Sequence, residues 1–226
     1  MAEGGCTREK TVVLDFEFNC IQKNKRNLTE IIQIGAVMLD ESLNVMKEFF
    51  CYVKPVWERI SSYCTKVTGI RQADVAGASP LKNCMDDFFA WLGEDLYTAV
   101  IYSWSLTDLN QLKKECMQKA ILDERLTGLF QRWVDFQKCF GEMLHYNWQL
   151  SLSNALAAMD MEPEGQIHNA LSDAKNTARL FSLSNNSKEF ERRKKQIGCL
   201  FHEEENISPT LGELFSGKLV ACCIRT

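Results

Sequence analysis

Residues 11–18 read TVVLDFEF, and no other stretch limits the fold as strongly. Val12, Leu14, Phe16 and Phe18 fall on one face and Val13, Asp15 and Glu17 on the other, which is the two-residue period of a β-strand. Four large apolar side chains on one face need cover. Val13 among the polar residues says that the second face is partly covered too, so the strand belongs in the middle of a sheet. Asp15 and Glu17 then project the same way, about 7 Å apart. On a solvated face such a pair is ordinary. In a central strand the two carboxylates repel unless a cation sits between them.

The chain after this strand supplies partners for it. IIQIGAVML (31–39) and VMKEFFCYV (45–53) read as two more strands, joined through the turn-forming stretch 40–44, and the three are expected to form an antiparallel meander. SSYCTKVTGI reads as a short helix stopped at Gly69. SPLKNCMDDFFAWLG is a second, with Ser79 as N-cap, Pro80 at the first helical position and Gly93 at the end. TAVIYS (98–103) is a short strand followed by a helical pattern from Ser105 to Gln118. RWVDF is a candidate fifth strand, and KCFGEML, SLSNALAAM and NALSDAKNTARLF read as helices. Strands first and helix-strand alternation later give an α/β domain with a mixed sheet. SLSNNS (182–187) marks its expected end, which divides the chain into a domain over 8–185 and a C-terminal extension, 186–226, of unassigned role.

A chain of 226 residues with 46% hydrophobic and 25% charged residues has the make-up of a soluble globular protein. No apolar run is long enough to span a membrane, and the start MAEGGCTREK lacks the apolar stretch of a secretion signal. A cytoplasmic location is therefore expected. The ten cysteines include no C-x-x-C pair, and several lie in apolar runs, as in FFCYV and LKNCMDDFF. They are read as reduced core thiols. The net charge of -4 excludes a protein that coats nucleic acid.

Three further residues ask for a reading. Asp108, in SWSLTDLNQL, follows a strand and fits the capping box S-x-x-D with Ser105. Asp173 lies on a helix with an apolar stripe of Leu171, Ala174, Ala178 and Phe181. His168 stands five residues earlier, which on one continuous helix would turn it about 140° away, so the loop entering the helix suits it better. Each has an ordinary structural explanation.

Their joint order does not. D-x-E on a first strand, an aspartate after a later strand and H-x-A-x-x-D on a late helix resemble the DEDDh class of 3′-to-5′ exonucleases, here through Asp15, Glu17, Asp108, His168 and Asp173. EIIQIGAVMLD (30–40) is similar to that class's second strand. ISSYCTKVTGIRQADV (60–75) resembles the corresponding segment of the Eri-type, histone-mRNA-exonuclease-like branch. The resemblance covers about residues 10–183. It implies a ribonuclease H-like exonuclease fold, a five-stranded mixed sheet flanked by helices. It also implies two divalent cations, Mg²⁺ or Mn²⁺, held by Asp15, Glu17, Asp108 and Asp173. Asp15 would bridge them, Asp108 would act mainly through water, and His168 would be the general base. The chain departs from the branch at Phe18-Asn19-Cys20 and at SWSLTD, both of which would flank the substrate groove.

The implied partners are single-stranded RNA or DNA 3′ ends, with 5′-mononucleotides as product. Leu106, Lys23, Lys25 and Arg26 are the candidate substrate contacts, for a base and for phosphates. The basic run 192–195 is either a further phosphate contact or a charged helix end. Cys199, His202, Cys222 and Cys223 have the residue types of a zinc site without the spacing of one. A DNA-directed exonuclease and a catalytically idle nucleic-acid-binding module are the alternative readings, the second opposed by the complete acidic set.

Overall fold

The computed structural model describes residues 9–19, 29–145 and 149–202, with side chains through residue 195. In chain order the elements are β1 (Thr11–Asn19), β2 (Glu30–Leu39), β3 (Val45–Tyr52), α1 (Ser62–Thr68), α2 (Gln72–Ala76) and α3 (Leu81–Leu92). A 3₁₀ turn (Gly93–Tyr97) leads to β4 (Val100–Ser103), α4 (Thr107–Gln118), α5 (Glu124–Gln131), β5 (Trp133–Asp135), α6 (Phe136–Leu144), α7 (Leu152–Ala158), α8 (Ala170–Asn185) and α9 (Ser187–His202). The five strands form one sheet in the order β3-β2-β1-β4-β5. The pairs within the meander are antiparallel, and those of β4 with β1 and β5 are parallel. The first strand is central, as its two-sided pattern requires.

Its apolar face packs with Ile34, Ala36 and Met38 of β2 against α3 and α4, through Leu81, Met85, Phe88, Leu92, Leu109 and Leu112. On the other face α8 lies over β1 and β2, where Ala178 meets Val13 and Val37. Glu17 pairs with Gln33 but Phe18 with Ile31, so Ile32 is an extra residue in β2. This bulge turns Ile32 away from the main core and onto Cys64, Ile70 and Val75 beneath α1 and α2. Cys64, Cys84 and Cys116 are buried, and Cys51 and Cys139 half-buried, all as free thiols.

The third helix begins one residue later than its sequence suggests. Ser79 is bridged to Val53, with its carbonyl accepting from the Lys54 N–H at 2.9 Å, and Pro80 itself is extended at the N-cap. The residue before a proline is held extended, and here the extended Ser79 is used in the bridge to Val53 while Pro80 takes the N-cap position without a side-chain cap bond. Packing also continues past Asn185. Phe190 of α9 is buried with its ring edge-on to Phe140, 5.9 Å between centroids. Within the basic run, Arg193 donates to the carbonyls of Met159 and Asp160, and Lys194 to that of Met143. These cations occupy the C-terminal ends of α7 and α6.

A buried ionic cluster ties the start of β2 to α4. Lys119 Nζ lies 2.9 Å from Glu30 and 2.6 Å from Glu115, carboxylates 1% and 0% exposed. Glu30 also accepts the N–H groups of Val56, Trp57 and Glu58, and Glu115 that of Ile31. The Lys119→Met variant would leave two buried carboxylates without their cation. It is expected to lose about 3–5 kcal/mol in urea unfolding; a midpoint equal to wild type would show that the cluster is not held together by charge.

Candidate active site

β4 pairs with β1 over Thr11–Val13. Further along β1, Asp108 takes the place of a pairing strand: its carboxylate accepts the Phe16 N–H at 3.0 Å. The carboxylate is thereby pinned beside the main chain between Asp15 and Glu17. This overturns the capping-box reading. The N-cap of α4 is Leu106, Ser105 Oγ accepts from the Thr107 N–H, and Asp108, in the first turn, reaches across to the sheet. The site thus forms just beyond the carboxyl end of β4, where parallel strands of α/β sheets commonly open a crevice.

Asp173 arrives from the other side, in the first turn of α8. Gly35, the register partner of Asp15, lets it come close. A Cβ at position 35 would stand 2.1 Å from Leu171 N and 2.2 Å from the Ala170 carbonyl carbon. Glycine inside a strand often marks such an approach of another backbone. Both clashing atoms are main chain, so the Gly35→Ala variant must push the start of α8 off the sheet. Its expected cost is about 3 kcal/mol in chemical unfolding, with activity falling further than stability; an unshifted midpoint would refute the contact.

His168 precedes α8, exposed and with φ of 59°. Its N–H donates to Asp173 Oδ2 at 3.1 Å. The loop that carries it is fastened at three points. Buried Asn176 bonds both the N–H and the carbonyl of Glu164 at 3.0 Å. Gly165, with φ of 76°, lies against Ser172. Gln166 Nε2 donates to the Thr68 carbonyl at the end of α1, at 3.0 Å. Donor atoms of Glu17, His168 and Asp173 all lie within 4.8 Å of one another.

Burial holds the four carboxyls above the usual acidic range, and repulsion from neighbouring carboxylates adds to it at Asp15 and Glu17. Burial is the largest cause at each. It lifts Glu17 to about 8, with Asp173 and Asp108 adding repulsion, and Asp108 to about 7 despite the Phe16 N–H. Asp173 rises to about 6, held back by His168. Asp15 is raised well above its ordinary value by burial and by the charges of Asp108, Glu17 and Asp173. An all-oxygen donor set under such strain suits hard divalent cations.

Leu106 is 38% exposed two residues before Asp108. Lys23, Lys25 and Arg26 lie outside the described residues, as do the side chains of Cys199 and His202 and all of Cys222 and Cys223. The supports of the site, Gln33, Gly35, Gln166 and Asn176, were not among the residues singled out from the sequence. Gly35 alone carried a local signal, a glycine in the middle of a strand pattern.

Two carboxylates on a central strand, a third from the helix after β4 and a fourth from a helix over the opposite face define a ribonuclease H-like nuclease architecture. The family model described as exonuclease (RNase_T) matches residues 12–181, and the chain belongs to that family. ERI1 exoribonuclease 2 of Xenopus laevis is 32% identical over 197 residues, 77% of this chain and 28% of the relative. The 3′-5′ exonuclease Snipper of Drosophila melanogaster is 28% identical, covering 75% of this chain and 66% of the relative. Among solved structures, the nuclease domain of 3′hExo, a DEDDh family member bound to rAMP, shares the fold with a TM-score of 0.71 at 22% identity, over 78% of this chain and 92% of that one. The chain therefore spans under a third of the length of the ERI1 exoribonuclease 2 relative. Among the described residues no helix is long and apolar enough to cross a membrane.

Proposed function

We propose that the chain is a metal-dependent 3′-5′ exonuclease that shortens single-stranded RNA from its 3′ end and releases 5′-mononucleotides. The observation that carries this reading is the convergence of Asp15, Glu17, Asp108 and Asp173 from three separate elements, with His168 fastened at their edge. The exoribonuclease names of its relatives favour RNA over DNA.

In this reading the four carboxylates hold two divalent cations, Mg²⁺ or Mn²⁺, which when bound relieve charge on the scissile phosphate and favour ionisation of the attacking water. His168 takes the proton from that water as general base, from its place at the edge of the carboxylate cluster. Its exposed position and tethered loop let it face solvent without wandering. Leu106 offers an apolar contact to the terminal base, and Lys23, Lys25 and Arg26 contact phosphates. The nuclease domain takes in α9 as well as residues 8–185, because Phe190 is part of its core.

The test is a 5′-labelled single-stranded RNA incubated with the full chain, beside matched DNA and a blunt duplex. A ladder shrinking from the 3′ end, abolished by EDTA and weaker on DNA, is expected. Internal cuts, EDTA-resistant release or a preference for DNA would each overturn part of the reading. The His168→Ala variant is expected to lose about 10²–10⁴-fold in kcat with Mn²⁺ affinity retained. Collapse of Mn²⁺ binding, followed by the electron paramagnetic resonance of free Mn²⁺, would make His168 a ligand and not the base.

A further inference from the structure

Gln33 is a polar residue 1% exposed on a strand that is otherwise almost wholly apolar. Its Oε1 accepts the Ala170 N–H at 2.7 Å, a contact across 137 residues of sequence. Ala170 opens α8, and its N–H is one of the four that a helix start leaves without an acceptor inside the helix. Asn169 serves the same helix start by accepting from the Ser172 N–H at 3.1 Å. The acceptor for Ala170 comes from the sheet. Gln33 is also the register partner of Glu17. One side chain therefore joins the strand row that holds Glu17 to the helix turn that holds Asp173, with His168 two residues before Ala170. The Gly35 approach seats that turn on the same strand, and the Gln33 bond fixes where along the strand it sits. An amide gives the acceptor without adding a fifth negative charge to a site already crowded with four.

We propose that Gln33 is a positioning residue for the nuclease reaction: its amide oxygen sets the first turn of α8, and with it His168 and Asp173, against Glu17. This rests on the exonuclease reading above. The full chain is compared with Gln33→Met, which keeps length and apolar bulk but has no oxygen acceptor, and with Gln33→Glu, which keeps the oxygen. All are assayed below their melting midpoints at saturating Mn²⁺. Amide hydrogen exchange over residues 168–173 is measured separately in EDTA.

Gln33→Met is expected to lose about tenfold in kcat with KM within about twofold, and to exchange faster over 168–173. Gln33→Glu is expected to recover most of the protection, because it keeps the acceptor oxygen, while the fifth negative charge it brings beside Glu17 holds kcat down. Wild-type kcat and exchange in Gln33→Met would overturn the proposal, and so would failure of Gln33→Glu to restore protection. A uniform loss of folded protein would also lower the apparent kcat at unchanged KM, so kcat is taken per folded molecule counted by circular dichroism, and faster exchange confined to 168–173 separates a displaced helix start from global unfolding. If the wild-type chain releases no nucleotide, the exonuclease reading falls, while the exchange comparison still decides whether Gln33 sets the helix start.

Discussion

Asp15→Asn is expected to reduce nucleotide release by at least roughly 10³-fold and, in the same preparation without metal, to raise the melting midpoint. The two effects have one cause. Burial pushes the ionisation of Asp15 up, and the charges of Asp108, Glu17 and Asp173 push it further. Removing its charge relieves that repulsion in the metal-free protein, so the variant gains stability above pH 7. The same change removes an oxygen ligand from the set that would carry the cations, so the loaded enzyme loses its reaction. Asparagine keeps the shape of aspartate, which separates charge from packing. Steady-state release on single-stranded RNA gives the first quantity and calorimetry in EDTA the second. An active Asp15→Asn variant would sink the assignment of the site. A lowered metal-free midpoint would mean that Asp15 is structural before it is catalytic.

Much of this arrangement was legible in the sequence because its signals are local. The alternation of TVVLDFEF carries both the centrality of β1 and the shared face of Asp15 and Glu17. The five-residue interval from His168 to Asp173 places the histidine off the helix, and the structure puts it at φ of 59° just before α8. Asp108 shows where local reading stops. Ser105 and Asp108 have the spacing of a cap, yet the free N–H of Phe16, supplied by a strand 92 residues earlier, takes the carboxylate instead. The same holds for Gln33, whose partner Ala170 is far along the chain. Nothing in IIQIGAV distinguishes that glutamine from any polar residue on a strand. The net charge of -4 also gains a local meaning. With the four site acids set aside, 26 acidic residues face 26 basic ones, so the excess negative charge equals the charge that cations at the site would offset.

In EDTA the protein is expected to lose stability steadily between about pH 4 and pH 8, and Mn²⁺ or Mg²⁺ is expected to abolish that loss. Carboxyls of an unfolded chain titrate near 4, whereas in the folded protein Asp173 sits at about 6, Asp108 at about 7 and Glu17 at about 8. Across that window the folded state holds protons that the unfolded chain has released. Stability must therefore fall as pH rises, by about 1.4 kcal/mol per pH unit for each proton of difference. Glu17 alone, moved from about 4.3 to about 8, corresponds to roughly 5 kcal/mol, or a midpoint lower by about 10–15 °C. Carboxyls held below the usual range by cationic partners, Asp86, Asp123 and Glu189, have the opposite dependence. Their contribution is lost in more acidic solution, below about pH 4, and leaves this window unchanged. Cations that bind the ionised cluster of the folded state and not the unfolded chain would add stability where the apo protein is weakest. Calorimetry at pH 5, 6, 7 and 8, in EDTA and in Mn²⁺, makes the comparison. A flat EDTA profile would mean that burial and repulsion do not raise the four carboxyls in the folded protein. A falling profile that Mn²⁺ leaves untouched would place its source outside a cation site, as at Glu115, which burial also raises despite Lys119.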